Sequence, residues 1–190
     1  MEKHLKVGIY IPTKTKTDFI IRQIKYYASL NSPHPIYIGD DNKEENAKKL
    51  QEVVAKFKDK VEINYFHNSN PTSQAECQMN LVSNIKEKYA IFSGDDDFLV
   101  PDSLTKCAEF LENNPDYSLA TGLAVSFNLD RSGPYGKIKS MSDYARPEIH
   151  EKTTSGRLKN YLNRYHVTLF SVTKTEGLKK GKEAHGPLLP

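Results

Sequence analysis

The sequence predicts an α/β fold, a three-layer αβα sandwich around a mostly parallel central sheet. Short apolar runs alternate with segments of helical periodicity along most of the chain, and polar or acidic clusters recur where those apolar runs stop. The 190 residues suit one domain with a well-buried core and are too few for two ordinary ones.

Residues 6–11 read as the first strand, stopping at Pro12-Thr13. Thr17 can then cap a helix whose apolar positions Phe19, Ile20, Ile24, Tyr27 and Ala28 recur at helical spacing. Pro33 and Pro35 close that unit, and 36–38 form a second strand ending in Gly39-Asp40-Asp41-Asn42. Residues 44–58 are a charged helix with Ala47, Leu50, Val53, Val54 and Phe57 on one face, and 61–65 a third strand. A loop over 68–73 leads to a helix at 74–86 and a fourth strand at 89–93. The next helix, 103–113, stops at Asn114-Pro115, and 118–127 reads as a further strand. Gly133, Pro134, Gly136, Pro147 and Gly156 mark 130–156 as long and irregular, which in a single domain suits a mobile active-site loop. Residues 157–164 look helical and 166–173 look like another strand. The expected organisation is a domain over 1–173 and a basic, flexible tail over 174–190.

Composition excludes several classes. Hydrophobic residues at 37% and charged residues at 27% describe a globular chain, and a net charge of +3 argues against nucleic-acid binding. No apolar stretch approaches the roughly 20 residues of a spanning helix and no signal-peptide pattern opens the chain, so a cytoplasmic protein without a transmembrane segment is expected. Cys77 and Cys107 stand far apart with no partner at zinc spacing and read as small buried hydrophobes.

Asp95-Asp96-Asp97, at the mouth of the fourth strand, carries the most chemistry. Three adjacent carboxylates repel one another, so a cation is expected to hold them together. Turn and cap chemistry can account for Asp102 but not for three acids in a row upstream of it. In an open α/β sheet ligands bind beyond the carboxyl ends of the strands. Pro12-Thr13, Asp40-Asp41 and the acidic triplet all fall at such ends. The loop at Thr13 either offers amides and a hydroxyl to a base or phosphate or is an ordinary turn. Asp40 or Asp41 either accepts hydrogen bonds from a nucleoside or caps the helix at Glu44. No G-x-G-x-x-G or Walker pattern accompanies them, which disfavours a dinucleotide or P-loop site.

In order, Val7-Gly-Ile-Tyr-Ile-Pro-Thr13, Ile36-Tyr-Ile-Gly-Asp-Asp41 and Tyr89-Ala-Ile-Phe-Ser-Gly-Asp-Asp-Asp97 with Pro101-Asp102-Ser103-Leu104 resemble the GT-A glycosyltransferases of the family 2 type. The resemblance covers roughly residues 5–125. It implies the Rossmann-like sheet of nucleotide-diphospho-sugar transferases and a metal-dependent, inverting transfer from a UDP-sugar to a glycan, surface-polysaccharide or lipid-linked acceptor. Carried over by residue, Pro12 and Thr13 would contact base or ribose, Asp41 or Asp40 the uracil, Asp95 the ribose-phosphate, and Asp96 with Asp97 the Mn2+ or Mg2+. A strict D-x-D would begin at Gly94, so the pattern here is shifted to Asp95-Asp96. The family's general base lies further downstream, where Glu176 and Glu183 are the available carboxylates and His185 reads as an exposed tail residue. On this reading the chain is short relative to the family. A donor-binding module without turnover and a nucleotidyltransferase are the alternatives, the latter lacking a Gly-rich phosphate loop.

Overall fold

The computed structural model describes residues 5–70, 73–144 and 146–185. Its central sheet has six strands in the order β3-β2-β1-β4-β8-β5, where β1 is Val7–Thr13, β2 Ile36–Asp40, β3 Ile63–His67, β4 Tyr89–Phe92, β5 Leu119–Ala120 and β8 Val172–Lys174. The first four are mutually parallel, and β8 runs antiparallel to both β4 and β5. A separate two-stranded ribbon pairs β6, Ala124–Leu129, with β7, Ile138–Tyr144.

Both faces of the sheet are buried, so its strands are apolar at successive positions rather than at alternate ones. The pleat divides them: Val7, Ile9, Ile11, Ile36, Ile38, Tyr89 and Ile91 enter one core, and Tyr10, Tyr37, Ala90 and Phe92 the other. The first core is closed by α1 (Thr17–Ser29), α2 (Glu44–Phe57) and α4 (Pro101–Asn113), through Ile20, Ile24, Leu50, Leu104, Ala108 and Leu111. The second is closed by α3 (Gln74–Asn84) through Cys77, Leu81 and Val82. Helix placement follows from chain direction. The steps β1 to β2 to β3 move one way along the sheet with α1 and α2 on one face; returning past β1 to β4 with a right-handed crossover puts α3 on the other.

Several expectations change. The strand expected at 118–127 is two strands in two sheets, because residues 121–123 leave the central sheet before β6 begins. The segment 130–156 is irregular only in part: it contains β7 and the first turn of α5, and Gly133 takes φ 98° in the turn between β6 and β7. Sheet pairing at 166–173 shrinks to Val172–Lys174. Helix α5, Thr154–Asn163, starts earlier than expected, where the Thr153 hydroxyl accepts from Gly156 N–H at 3.1 Å. Residues expected as a flexible tail form α6, Thr175–His185. Leu178 anchors it against the second core and Lys179 Nζ donates to the Ile85 carbonyl at 2.9 Å, one apolar and one polar contact that composition alone conceals.

Candidate functional site

The sheet changes winding direction between β1 and β4, the place where open α/β sheets leave a crevice. The parallel register pairs Tyr10 with Phe92, so three residues further on Thr13 stands level with Asp95. The Thr13 hydroxyl donates to Asp95 Oδ2 at 3.0 Å across that crevice. On the other side of β1, Thr13 O accepts from Asp41 N–H at 2.9 Å. Three strand ends are thus joined through one threonine.

The acidic turn is tied down from α1. Gln23, fully buried, donates from Nε2 to the carbonyls of Gly94 at 2.6 Å and Asp97 at 2.5 Å. Arg22 donates to Asp96 O at 2.9 Å and to Pro134 O at 2.5 Å, with its guanidinium 4.6 Å from the Phe98 ring centre, which couples the β6–β7 turn to the acidic turn. A Cβ at Gly94 would lie 2.5 Å from Asp97 Oδ2. A side chain at position 94 would require the Asp97 carboxylate to turn aside.

Lys16 Nζ sits 2.6 Å from Asp96 Oδ2 and 3.6 Å from Asp95 Oδ1. Its hydrogen bond to Asp96 raises the Lys16 pKa above the ordinary lysine value. Burial pushes Asp95 and Asp97 above the usual carboxylate range, with Asp96 beside Asp97 adding repulsion. Two hard oxygens from neighbouring carboxylates therefore converge on one cationic point, a donor set that fits Mg2+ or Mn2+ completed by ligand phosphates and water. Among the described residues no group of three or more His, Cys, Asp and Glu side chains forms a metal cluster.

Asp40 and Asp41 are both buried but engage different partners. Asp40 is fully buried; its Oδ1 accepts from Asn42 N–H at 2.9 Å and Asn42 Nδ2 at 2.6 Å, and its Oδ2 from Tyr65 OH at 2.5 Å. Fully buried and with both oxygens engaged inside the protein, Asp40 braces the turn. Asp41 accepts from Asn68 Nδ2 at 2.6 Å, beside a small open cleft lined by Gly39, Phe66, Asn68, Cys77, Asn80, Leu81 and Asn84. Burial and then the nearby Asp41 and Asp40 charges push the Cys77 thiol up to about 12, so it is an inert wall of the cleft. Neither aspartate caps α2, whose N-cap is Lys43. Thr17 is no cap either: it is the first residue of α1 and its hydroxyl donates to Asn42 Oδ1 at 3.2 Å.

Glu176 lies away from this cluster. Because β8 runs antiparallel to β4, with Lys174 opposite Tyr89, Glu176 falls beyond the amino end of β4, at the opposite edge of the sheet from Asp95. It is exposed and pairs with Lys180 Nζ at 2.6 Å. The side chain of Glu183 and that of His185 lie outside the described residues. The sequence reading missed Gln23, Arg22, Asn42, Asn68 and Tyr65. Gln23 had a usable signal, a polar residue next to Ile24 on the apolar stripe of α1.

A parallel sheet with a crevice at its β1–β4 switch point and acidic turns at two strand ends defines the nucleotide-diphospho-sugar transferase class of α/β fold. The chain belongs to glycosyl transferase family 2, whose profile matches residues 9–180. No curated protein matches it in sequence. Among solved structures it is similar to residues 1–349 of S. aureus TarS in complex with UDP-GlcNAc, at TM-score 0.60 and 14% identity, over 93% of this chain and 47% of that one. It is also similar to the mannosyltransferase PcManGT of Pyrobaculum calidifontis in complex with GDP-Man and Mn2+ (TM-score 0.50, 11% identity, 60% and 34% covered). CMP:2-keto-3-deoxy-manno-octonic acid synthetase complexed with CTP is similar at TM-score 0.50 and 12% identity, over 94% of this chain and 78% of that one. The chain spans about half the length of the TarS structure it matches, and at these identities the likeness is one of fold.

Proposed function

We propose that this chain binds a nucleotide-diphospho-sugar, a UDP-sugar first among candidates, at the carboxyl ends of β2, β1 and β4, and transfers the sugar to a glycan or lipid-linked acceptor. The observation that carries this reading is the Thr13 bridge, which brings the ends of three adjacent parallel strands into one hydrogen-bonded surface with carboxylates at both ends. Asp41 and the cleft beside Asn68 and Asn80 offer an acceptor and a flat wall to a base. Thr13 and Asp95 face the ribose and first phosphate, while Asp95 and Asp96 supply the oxygens for Mg2+ or Mn2+. A bound divalent cation would stabilise charge on the leaving diphosphate. Lys16, now on the same two carboxylates, is within reach to turn onto a phosphate oxygen once they are otherwise engaged. Gln23 and Arg22 hold the acidic turn still, so the donor meets a preorganised surface. Glu176 stands beyond the amino end of β4, far from these carboxylates, and that placement supports a second reading in which donor is bound better than it is turned over.

The test is a thermal-shift panel of nucleoside diphosphates with and without Mn2+. A ligand at 100 times its Kd stabilises by about 2.7 kcal/mol, so a Mn2+-dependent rise with UDP is expected. No shift with any diphosphate would refute the donor site. Pyrophosphate release from a nucleoside triphosphate would move the chain to the nucleotidyltransferases.

A further inference from the structure

Helix α5 is inside out. A surface helix of a globular protein turns its apolar stripe to the core. No α5 residue is buried; Leu158 and Leu162 are 56% and 64% exposed, and Tyr165, just past the C-cap Arg164, is 69% exposed. The side turned inward is polar: Asn160 Nδ2 donates to the Glu151 carboxylate, and a Cβ at Gly156 would lie 3.1 Å from Glu151 Cβ. At 3.6 residues per turn, Leu158, Tyr161 and Leu162 share an outward arc of about 100°, with Arg157 on one flank and Lys159 on the other. The Tyr165 ring packs 5.3 Å from that of Tyr161 and extends the patch.

Charge identifies the occupant. Between Glu151 and Glu176 the sequence contains no carboxylate, while Lys152, Arg157, Lys159 and Arg164 cluster within and around the helix. Arg157 is held on the Glu151 and Lys152 carbonyls, while Lys159 and Arg164 have long stems that can reach past the stripe, and an apolar stripe so edged, with tyrosines at its end, matches a helix lying in the plane of a bilayer interface. No helix among the described residues is long and apolar enough to cross a membrane. We propose that α5, through Leu158, Leu162, Tyr161 and Tyr165 with Arg157, Lys159 and Arg164 at its margins, docks this chain on an anionic lipid surface. This surface is separate from the Thr13–Asp95 crevice and stands whether or not the donor reading holds.

Co-sedimentation of the full chain with phosphatidylcholine vesicles, with and without phosphatidylglycerol, tests the proposal. Binding is expected only when phosphatidylglycerol is present. Each basic residue near an anionic surface contributes about fivefold in partitioning, so Lys159→Glu with Arg164→Glu should lower binding more than tenfold. Leu158→Asp with Leu162→Asp should abolish it while leaving the melting temperature unchanged, because both side chains are already in solvent. Absence of binding to either vesicle, or binding unaltered in both double variants, overturns the proposal. So does a dimer seen by light scattering and lost in the leucine variant, which would assign the face to a second copy of the chain.

Discussion

Thr13 donates its hydroxyl to Asp95 across the gap between β1 and β4 while its carbonyl accepts from Asp41, so one small side chain spans the switch point of the sheet. Hydrogen bonds to charged groups contribute about 1.5–3 kcal/mol. Thr13→Val keeps the shape and removes the donor; UDP binding in Mn2+ should weaken by roughly one to two orders of magnitude, measured by calorimetry. Unchanged affinity would reduce Thr13 to a turn residue.

Asp96→Asn should abolish the Mn2+-dependent part of nucleoside diphosphate binding and leave the fold intact. Asp96 is the exposed member of the acidic turn and its side chain pairs with Lys16, so its replacement disturbs little packing. Circular dichroism and calorimetry on the same sample separate the two effects.

Lys16 pairs with the two carboxylates proposed to hold a divalent cation, so Lys16→Met should strengthen Mn2+ binding in the absence of nucleotide. The ion pair is half exposed, with side-chain exposures of 44% and 45%, and such pairs contribute about 0–1 kcal/mol. The gain should therefore not exceed about fivefold, read from Mn2+ electron paramagnetic resonance titration.

Asp40 and Asp41 should part ways on substitution. Asp40→Asn disturbs the acceptor of Tyr65 and Asn42 in a fully buried turn and should lower stability by about 1–3 kcal/mol, or about 2–4 °C in Tm for each kcal/mol. Asp41→Asn, buried but able to accept from Asn68 through its amide oxygen, should cost less stability than Asp40→Asn and erase any preference for uridine over adenosine diphosphate. The reverse pattern would exchange their roles.

His34 provides a pH dependence unrelated to the site. The buried ring accepts from Val7 N–H at Nδ1 (3.1 Å) and donates from Nε2 to the Pro101 carbonyl (2.9 Å), which links β1 to the first turn of α4 in the neutral form. Burial holds its pKa below the ordinary histidine value. The unfolded chain therefore takes up a proton near pH 6.5 that the folded chain refuses, so this contribution is complete above about 6.5 and declines as the pH falls toward the depressed folded value. Melting temperatures measured between about pH 7.5 and 5 should fall on acidification, and His34→Gln should be less stable at the upper end and flatter across the window.

The alternation of apolar runs with helical stripes determined the α/β class by itself, because a sheet covered on both faces needs strands apolar at consecutive positions and helices with one apolar side. Acidic clusters at strand ends likewise located the crevice, since polar residues that interrupt such runs fall where the strands leave the core. Local sequence did not contain the partition of roles within those clusters. Asp40 and Asp41 are chemically identical neighbours, and only the packed surroundings decided that one accepts from Tyr65 on the adjacent strand and the other from Asn68 beside the cleft. The place of Glu176 at the far end of β4 was set by strand direction, a property of pairing between residues 85 positions apart that periodicity does not carry. The docking of α6 through Leu178 and the outward turn of α5 were settled in the same way. A helical stripe specifies which residues share a face, and only the packed neighbours decide whether that face meets protein or solvent.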